Sequence, residues 1–293
     1  MAENPFDGGS RPTWCRGCGN FGILNALQRA LNDAGLEPHE VIMITGIGQS
    51  GKTNDYMKIT GLHGLHGRPL PVATGFKLAN PKMKVIVGHG DGDGYGEGGN
   101  HFLHSVRRNI GIIDMVHNNQ VYALTRGQFS PTTLEGVATP TSPPPSGVVE
   151  RPLNALSLAL SQACTFVART ATHDLRHMQK IMGEALKHRG YALLEVMQVC
   201  VTFNRRMDFD FYREHTYDLQ EEGHDTGDHD AALAKAFEYP GGERIPIGIF
   251  YQDESVPAYE ERVEVIREQS LVEQPIRARP QEDYRQLVEE FMV

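Results

Sequence analysis

The sequence predicts an α/β fold, a parallel sheet with helices on both faces. Short, almost wholly apolar runs such as EVIMIT (40–45) and YALLEV (191–196) lack the alternation of a half-exposed strand and suit strands buried on both sides. Segments with apolar residues at helical spacing separate these runs. The stretches richest in glycine, Asp, Asn and His follow the ends of the runs, and ligands bind past the carboxyl ends of strands in such sheets.

Taken in order, Phe21 to Ala34 has helical spacing, with Gly35 as its stop signal. Glu40 to Thr45 reads as a buried strand, and Gly46 to Gly67 as a glycine-rich loop. A helix is expected over Pro69 to Ala79, with proline in its first turn and Asn80-Pro81 after its end. Lys84 to Val87 is the next strand, running into GHGDGDGYGEGG. Asn100 to Arg108 reads as helix and Ile110 to Val116 as strand. A long loop extends from Asn118 to about Glu150. Then come a helix over Leu153 to Ala163, a strand over Thr165 to Ala168, a helix over Leu175 to His188 and a strand over Tyr191 to Val196. Beyond Asn204 the pattern weakens into a tail rich in charge and aromatics. The expected organisation is a sheet domain with its cysteine segment over residues 1–204. An irregular extension over 205–293 packs on another chain.

The 293 residues are 40% apolar with a net charge of −9, which disfavours nucleic acid as the main partner. No apolar run approaches the roughly 20 residues that span a bilayer, and the opening MAENPFDGGSRPTW lacks the regions of a signal peptide. A cytoplasmic protein is the expectation. Cys15 and Cys18 form one Cys-x-x-Cys pair, and Cys164 and Cys200 are the only other cysteines. In a reducing compartment this favours metal or redox chemistry over disulfides.

Gly90-Asp91-Gly92 follows an apolar strand and precedes a helix. Glycines there let backbone N–H groups approach an anion, and Asp91 adds a hard oxygen ligand, a combination suited to a magnesium-bridged phosphate. Asn118-Asn119 ends the next strand, one strand–helix–strand unit on, so Asn119 and Asp91 emerge at the same sheet edge. Alone, Gly-Asp-Gly is most often a surface turn; the paired spacing in this context reverses that. No Walker A lysine follows, and the dinucleotide glycine rule is not met.

This pairing resembles the thiamine diphosphate fingerprint. WCRGCGN, GIGQSGKTNDY, LHGLHGRPLPVATGFKLANP, GHGDGDGYGEGGNHFLHSVRRN and NNQVYALTRGQFSPTT resemble, in order, the beta subunits of 2-oxoacid:ferredoxin oxidoreductases, over roughly Pro12 to Asn204. The resemblance implies the diphosphate-binding (PP-type) thiamine fold and oxidative decarboxylation of a 2-oxoacid with coenzyme A. Electrons would pass through an iron–sulfur cluster to ferredoxin. It makes Asp91, Asn119 and the Val121 carbonyl magnesium ligands. Gly48, Gly90, Gly92, Asp93, Tyr122, Ala123, Leu124 and the Thr125 to Gln128 turn would surround the cofactor. It also implies an alpha subunit that bears the pyrimidine domain.

His63, His66, Arg68, Lys52 and Arg126 fall on loops at the predicted active edge and together would form a basic pocket for anions. Arg126, suited to a second carboxylate, tilts the expected substrate toward 2-oxoglutarate over pyruvate. The resemblance further implies a [4Fe–4S] cluster on Cys15, Cys18, Cys200 and a fourth position where this sequence has Gln49. Thiolate is the normal ligand there. A cluster with another fourth ligand, recruitment of Cys164, and an absent or labile cluster all stay open, with a zinc site as a weaker alternative. A pyruvate-specific subunit, a non-oxidative thiamine-dependent decarboxylase or synthase, the indolepyruvate branch of the same oxidoreductase family, and a nucleotide-binding module are the competing functions.

Overall fold

The computed structural model describes residues 4–274 and 281–292. An eight-stranded sheet forms its centre. In chain order the strands are β1 (Val41–Thr45), β2 (Thr60–His63), β3 (Lys84–Gly90), β4 (Ile112–Asn118), β7 (Phe166–Ala171), β8 (Ala192–Met197), β9 (Thr216–Asp218) and β10 (Ile245–Gln252). A small hairpin, β5 (Val121–Tyr122) with β6 (Gln128–Phe129), stands apart. The order across the sheet is β2-β1-β3-β4-β8-β7-β10-β9. The first six are mutually parallel, and β10 runs antiparallel to β7.

Helices cover both faces, as the apolar runs require. On one face, α1 (Asn20–Asp33) and α5 (Leu175–Lys187) bury Ile23, Leu27, Leu31, Met178 and Ile181 against Met43, Ile86, Met115 and Leu194. On the other, α2 (Pro69–Ala79), α3 (Gly99–Arg108) and α4 (Ala155–Ser161) bury Leu70, Phe102, Val106 and Leu156 with Ile44, Val87, Val116 and Leu193. Each fully buried Leu, Ile or Phe contributes roughly 1.5–3 kcal/mol. Asp174 caps α5 by accepting the amides of Arg176 and His177, each at 2.9 Å.

Two expectations need correction. The loop read over Gly46 to Gly67 contains a 3₁₀ turn, Ser50–Tyr56, and the edge strand β2. All four β2 residues are exposed, so no apolar run marks the strand. The extension read as irregular supplies α6 (Phe209–His215), α7 (His229–Ala236) and two strands of the central sheet. Ala232 and Ala236 of α7 are buried with Phe250 of β10. Among the described residues no helix is long and apolar enough to cross a membrane.

Candidate active site

The loops after β1, β3 and β4 converge on one cleft. Its wall brings together Gly48, Gln49, His66, Gly90, Asp91, Gly92, Asp93, Asn119 and Val121 to Thr125. Asp91 is 1% exposed. Burial lifts its carboxyl to about 6, against hydrogen bonds that pull it down. Those bonds come from the hydroxyls of Ser130, at 2.5 Å, and Thr132, at 2.7 Å, both to Oδ2. The loop after the β5–β6 hairpin thus clasps one carboxylate oxygen. Asn119 Oδ1 accepts the Val121 N–H at 3.1 Å, which fixes the side chain at the head of the hairpin.

The backbone between β3 and α3 is a π-helical turn, Gly92–Glu97, of a kind frequent at functional sites. Its glycines admit close neighbours. A Cβ at Gly92 would stand 2.3 Å from the Tyr122 ring, whose hydroxyl donates to the Gly92 carbonyl at 3.1 Å. The hairpin therefore lies directly on the turn. Asp93 lines the cleft, but its Oδ1 accepts the amides of Ile47, at 3.2 Å, and Gly67, at 2.8 Å. It ties the loop after β1 to the one before α2. The same oxygen is 3.4 Å from Nε2 of His66. Behind it the buried His89 is held above its ordinary pKa. Burial alone would lower it, and Asp114, at 2.6 Å, with Asp93 and Asp91 outweighs that.

The five cationic or imidazole candidates are not gathered. His66 alone of them is on the cleft wall. His63 is on the exposed edge strand β2, its Nδ1 3.2 Å from the Thr45 hydroxyl. Arg68 is exposed and reaches the Glu97 carbonyl at 3.4 Å. Lys52 sits in the 3₁₀ turn, and Arg126 is exposed on the hairpin loop. The basic pocket expected from the sequence is therefore not assembled among the described residues. Long side chains on loop rims turn to solvent when no local partner holds them.

A second cavity adjoins the first. Cys15, Cys18, Cys200 and Gln49 all line it, and Gln49, Asn119 and Ala123 belong to both walls. Trp14 anchors the Cys-x-x-Cys turn. Its indole N–H donates to the Gln49 carbonyl at 2.8 Å, and its ring meets Tyr56 and Phe21 edge-on. Burial raises the Cys18 thiol to about 11, and the nearby Cys200 and Cys15 add to the rise. Cys164 lies elsewhere, fully buried in the core, its thiol pushed to about 12 by burial and donating to the Phe166 carbonyl. That removes it as the fourth ligand. Among the described residues no three His, Cys, Asp or Glu side chains stand close enough to share one metal ion.

Sequence alone does not mark Ser130, Thr132 or Gln198, which lines the second cavity and accepts a hydrogen bond from Asn119. Ser130 and Thr132 lie within the fifth matching motif, yet hydroxyls in a loop carry no signature of their own.

The fold is of the thiamine diphosphate-binding α/β class. Residues 42–196 match the thiamine pyrophosphate enzyme C-terminal TPP-binding domain, and residues 200–268 match the C-terminal domain of the pyruvate ferredoxin oxidoreductase beta subunit. The chain is 43% identical over 262 residues to the 2-oxoacid:ferredoxin oxidoreductase subunit beta of Saccharolobus solfataricus, covering 85% of each. It is 42% identical over 192 residues to the 2-oxoglutarate synthase subunit KorB of Archaeoglobus fulgidus, covering 66% of this chain and 71% of that one. A solved structure, the 2-oxoglutarate:ferredoxin oxidoreductase from Magnetococcus marinus with 2-oxoglutarate, coenzyme A and succinyl-CoA bound, superposes with a TM-score of 0.87. It is 32% identical and covers 99% of this chain and 96% of its own. The chain belongs to the beta subunits of 2-oxoacid:ferredoxin oxidoreductases, and so is one subunit of a multi-subunit oxidoreductase.

Proposed function

We propose that this subunit holds the diphosphate end of thiamine diphosphate through Mg²⁺ in an enzyme that oxidatively decarboxylates 2-oxoglutarate with coenzyme A. Ferredoxin would take the electrons. The observation that carries the reading is Asp91, buried, clasped on one oxygen by two hydroxyls, and facing the same cleft as Asn119. A buried carboxylate is destabilised without a cation, and Asp91 with Asn119 and the Val121 carbonyl gives the oxygen-only set that Mg²⁺ takes alongside phosphate. Bound there, the cofactor supplies the nucleophilic carbon and the electron sink. This chain's residues position it: Tyr122 holds the turn, and Asp93 fixes His66 on the rim.

Cys15, Cys18 and Cys200 would supply three of the thiolates of a [4Fe–4S] cluster. They surround one cavity that shares a wall with the cleft, a short path for electrons. Gln49 stands at the fourth position. The alpha subunit would complete the pyrimidine side and the basic pocket. Exposed Val265, Leu271 and Val272, in the segment after β10, offer it a surface. A reducing, cytoplasmic setting suits that chemistry.

Relatives named for 2-oxoglutarate favour that substrate. Turnover by the purified alpha–beta complex tests it. Faster acyl-CoA formation from 2-oxoglutarate than from pyruvate is expected; a clear preference for pyruvate overturns the assignment.

A further inference from the structure

Gln198 follows the last residue of β8 and is 2% exposed. Its backbone N–H donates to the Asn118 carbonyl at 2.8 Å, which pins it to the end of β4. The absence of a side chain at Gly19 leaves room for it, since a Cβ there would stand 2.8 Å from its Cγ. Its amide has two partners. Oε1 accepts from Asn119 Nδ2 at 3.3 Å, and Nε2 donates to the sulfur of Cys18 at 3.5 Å.

The direction of this chain is not free. It starts at a backbone N–H, that of Val121, which can only donate, so Asn119 must present its oxygen there and its NH₂ to Gln198. Gln198 must then present its own NH₂ to the sulfur. A second donor acts on the neighbouring thiol, the Thr202 hydroxyl 3.3 Å from Cys15, at the solvent-exposed side of the cavity.

We infer that Gln198 is the residue through which the Asn119 side of the cofactor cleft sets the reduction potential of the cluster. It rests on the proposed cluster and magnesium site. Hydrogen bonds to a ligand sulfur stabilise the more negative, reduced cluster and raise its potential. A cation on the Asn119 oxygen draws electron density from that amide and strengthens its N–H, and the effect passes through Gln198 to Cys18. Loading of the cleft and the electron affinity of the cluster are thereby linked. Gln198 is a positioning residue, since it touches neither substrate nor reacting carbon.

The test is a redox titration of the reconstituted alpha–beta complex, with and without magnesium thiamine diphosphate. The reduced cluster is followed by electron paramagnetic resonance, and iron is counted per beta chain. In the parent complex the midpoint is expected to rise on loading. In Gln198→Leu it is expected to be lower than in the parent and to move no further on loading. Gln198→Glu, of the same size but unable to donate when ionised, is expected to be lower still, and it carries the test if the leucine variant does not fold. Thr202→Val shifts less, because water can replace a donor beside the exposed Cys15. A full cluster signal with an unchanged midpoint and unchanged response to loading in both Gln198 variants overturns the inference alone. Fewer than about two irons per parent beta chain instead overturns the cluster on which it rests, a cubane needing cysteine thiolates for its irons.

Discussion

The Asp91 cleft and the cysteine cavity share a wall but are built in opposite ways. The cleft is made by the ends of β1, β3 and β4, three neighbouring parallel strands, and its key carboxylate is buried and clasped by hydroxyls. The cavity is made by four chain segments, around 13–18, 49, 119–123 and 198–203, and its thiols run from exposed Cys15 to buried Cys200. Strand ends leave little freedom, so the cleft is preorganised and small changes to it should be felt at once. The cavity depends on segments brought together from afar, and what binds the thiols should hold them in turn.

The sharpest break in this comparison is Asp91→Ala. It should abolish magnesium-dependent cofactor binding, by more than about 100-fold, since even an outer partner of a metal ligand is worth about 10–100-fold. Calorimetry on the complex checks it, and the iron content of the complex should match that of the parent. The converse variant, Cys200→Ser, should strip most of the iron while thiamine diphosphate binding stays as in the parent. Loss of both properties in either variant would mean that the two regions are one cooperative unit.

A smaller effect is expected for Ser130→Ala or Thr132→Val. Each removes one hydrogen bond to Asp91 and should weaken binding about 10-fold, as outer-shell partners do. The cysteine cavity should show no change in iron content. The smallest effect is in pH. Magnesium needs the ionised carboxylate, and burial lifts Asp91 from 3.8 to about 6. Cofactor affinity should therefore fall as pH drops through about 6, in an isothermal titration series. The sign for stability is the reverse. The folded metal-free chain holds this proton more tightly than the unfolded one, so the Asp91 contribution makes stability decline as pH rises from about 4 to 6. Magnesium thiamine diphosphate should remove that decline, seen as a melting-temperature shift that grows with pH. His117 acts oppositely in the metal-free chain, because burial and the neighbouring His89 lower it to about 3, so its contribution is lost as pH falls below 6.5.

Much of this was legible in the sequence. Pro69–Ala79 forms as one helix within the bounds its proline and Asn80-Pro81 set, and β1 and β8 are the apolar runs read as strands. Asp91 and Asn119 face one cleft because one strand–helix–strand unit returns the chain to the same sheet edge, a spacing effect that sequence carries directly. Cys15, Cys18, Cys200 and Gln49 were placed together by motif, and they line one cavity.

Other features were decided only by packing. β2 has four exposed residues and exists because β1 offers it an edge, not because its own side chains demand burial. β10 is interrupted by Pro246 and Gly248 and becomes a strand through β7 and α7. Lys52, Arg68 and Arg126 were read as a pocket because they share an edge. Where a long side chain ends depends on the partners around it: Arg68 reaches the Glu97 carbonyl, and Arg126 stands exposed on the hairpin loop. The hydroxyls on Asp91 and the amide of Gln198 come from loops whose sequence states no geometry. Periodicity and spacing fix which backbone meets which, because backbone hydrogen bonding and burial are regular. The polar contacts that tune a carboxylate or a sulfur depend on tenths of an ångström, and only the assembled tertiary structure sets those.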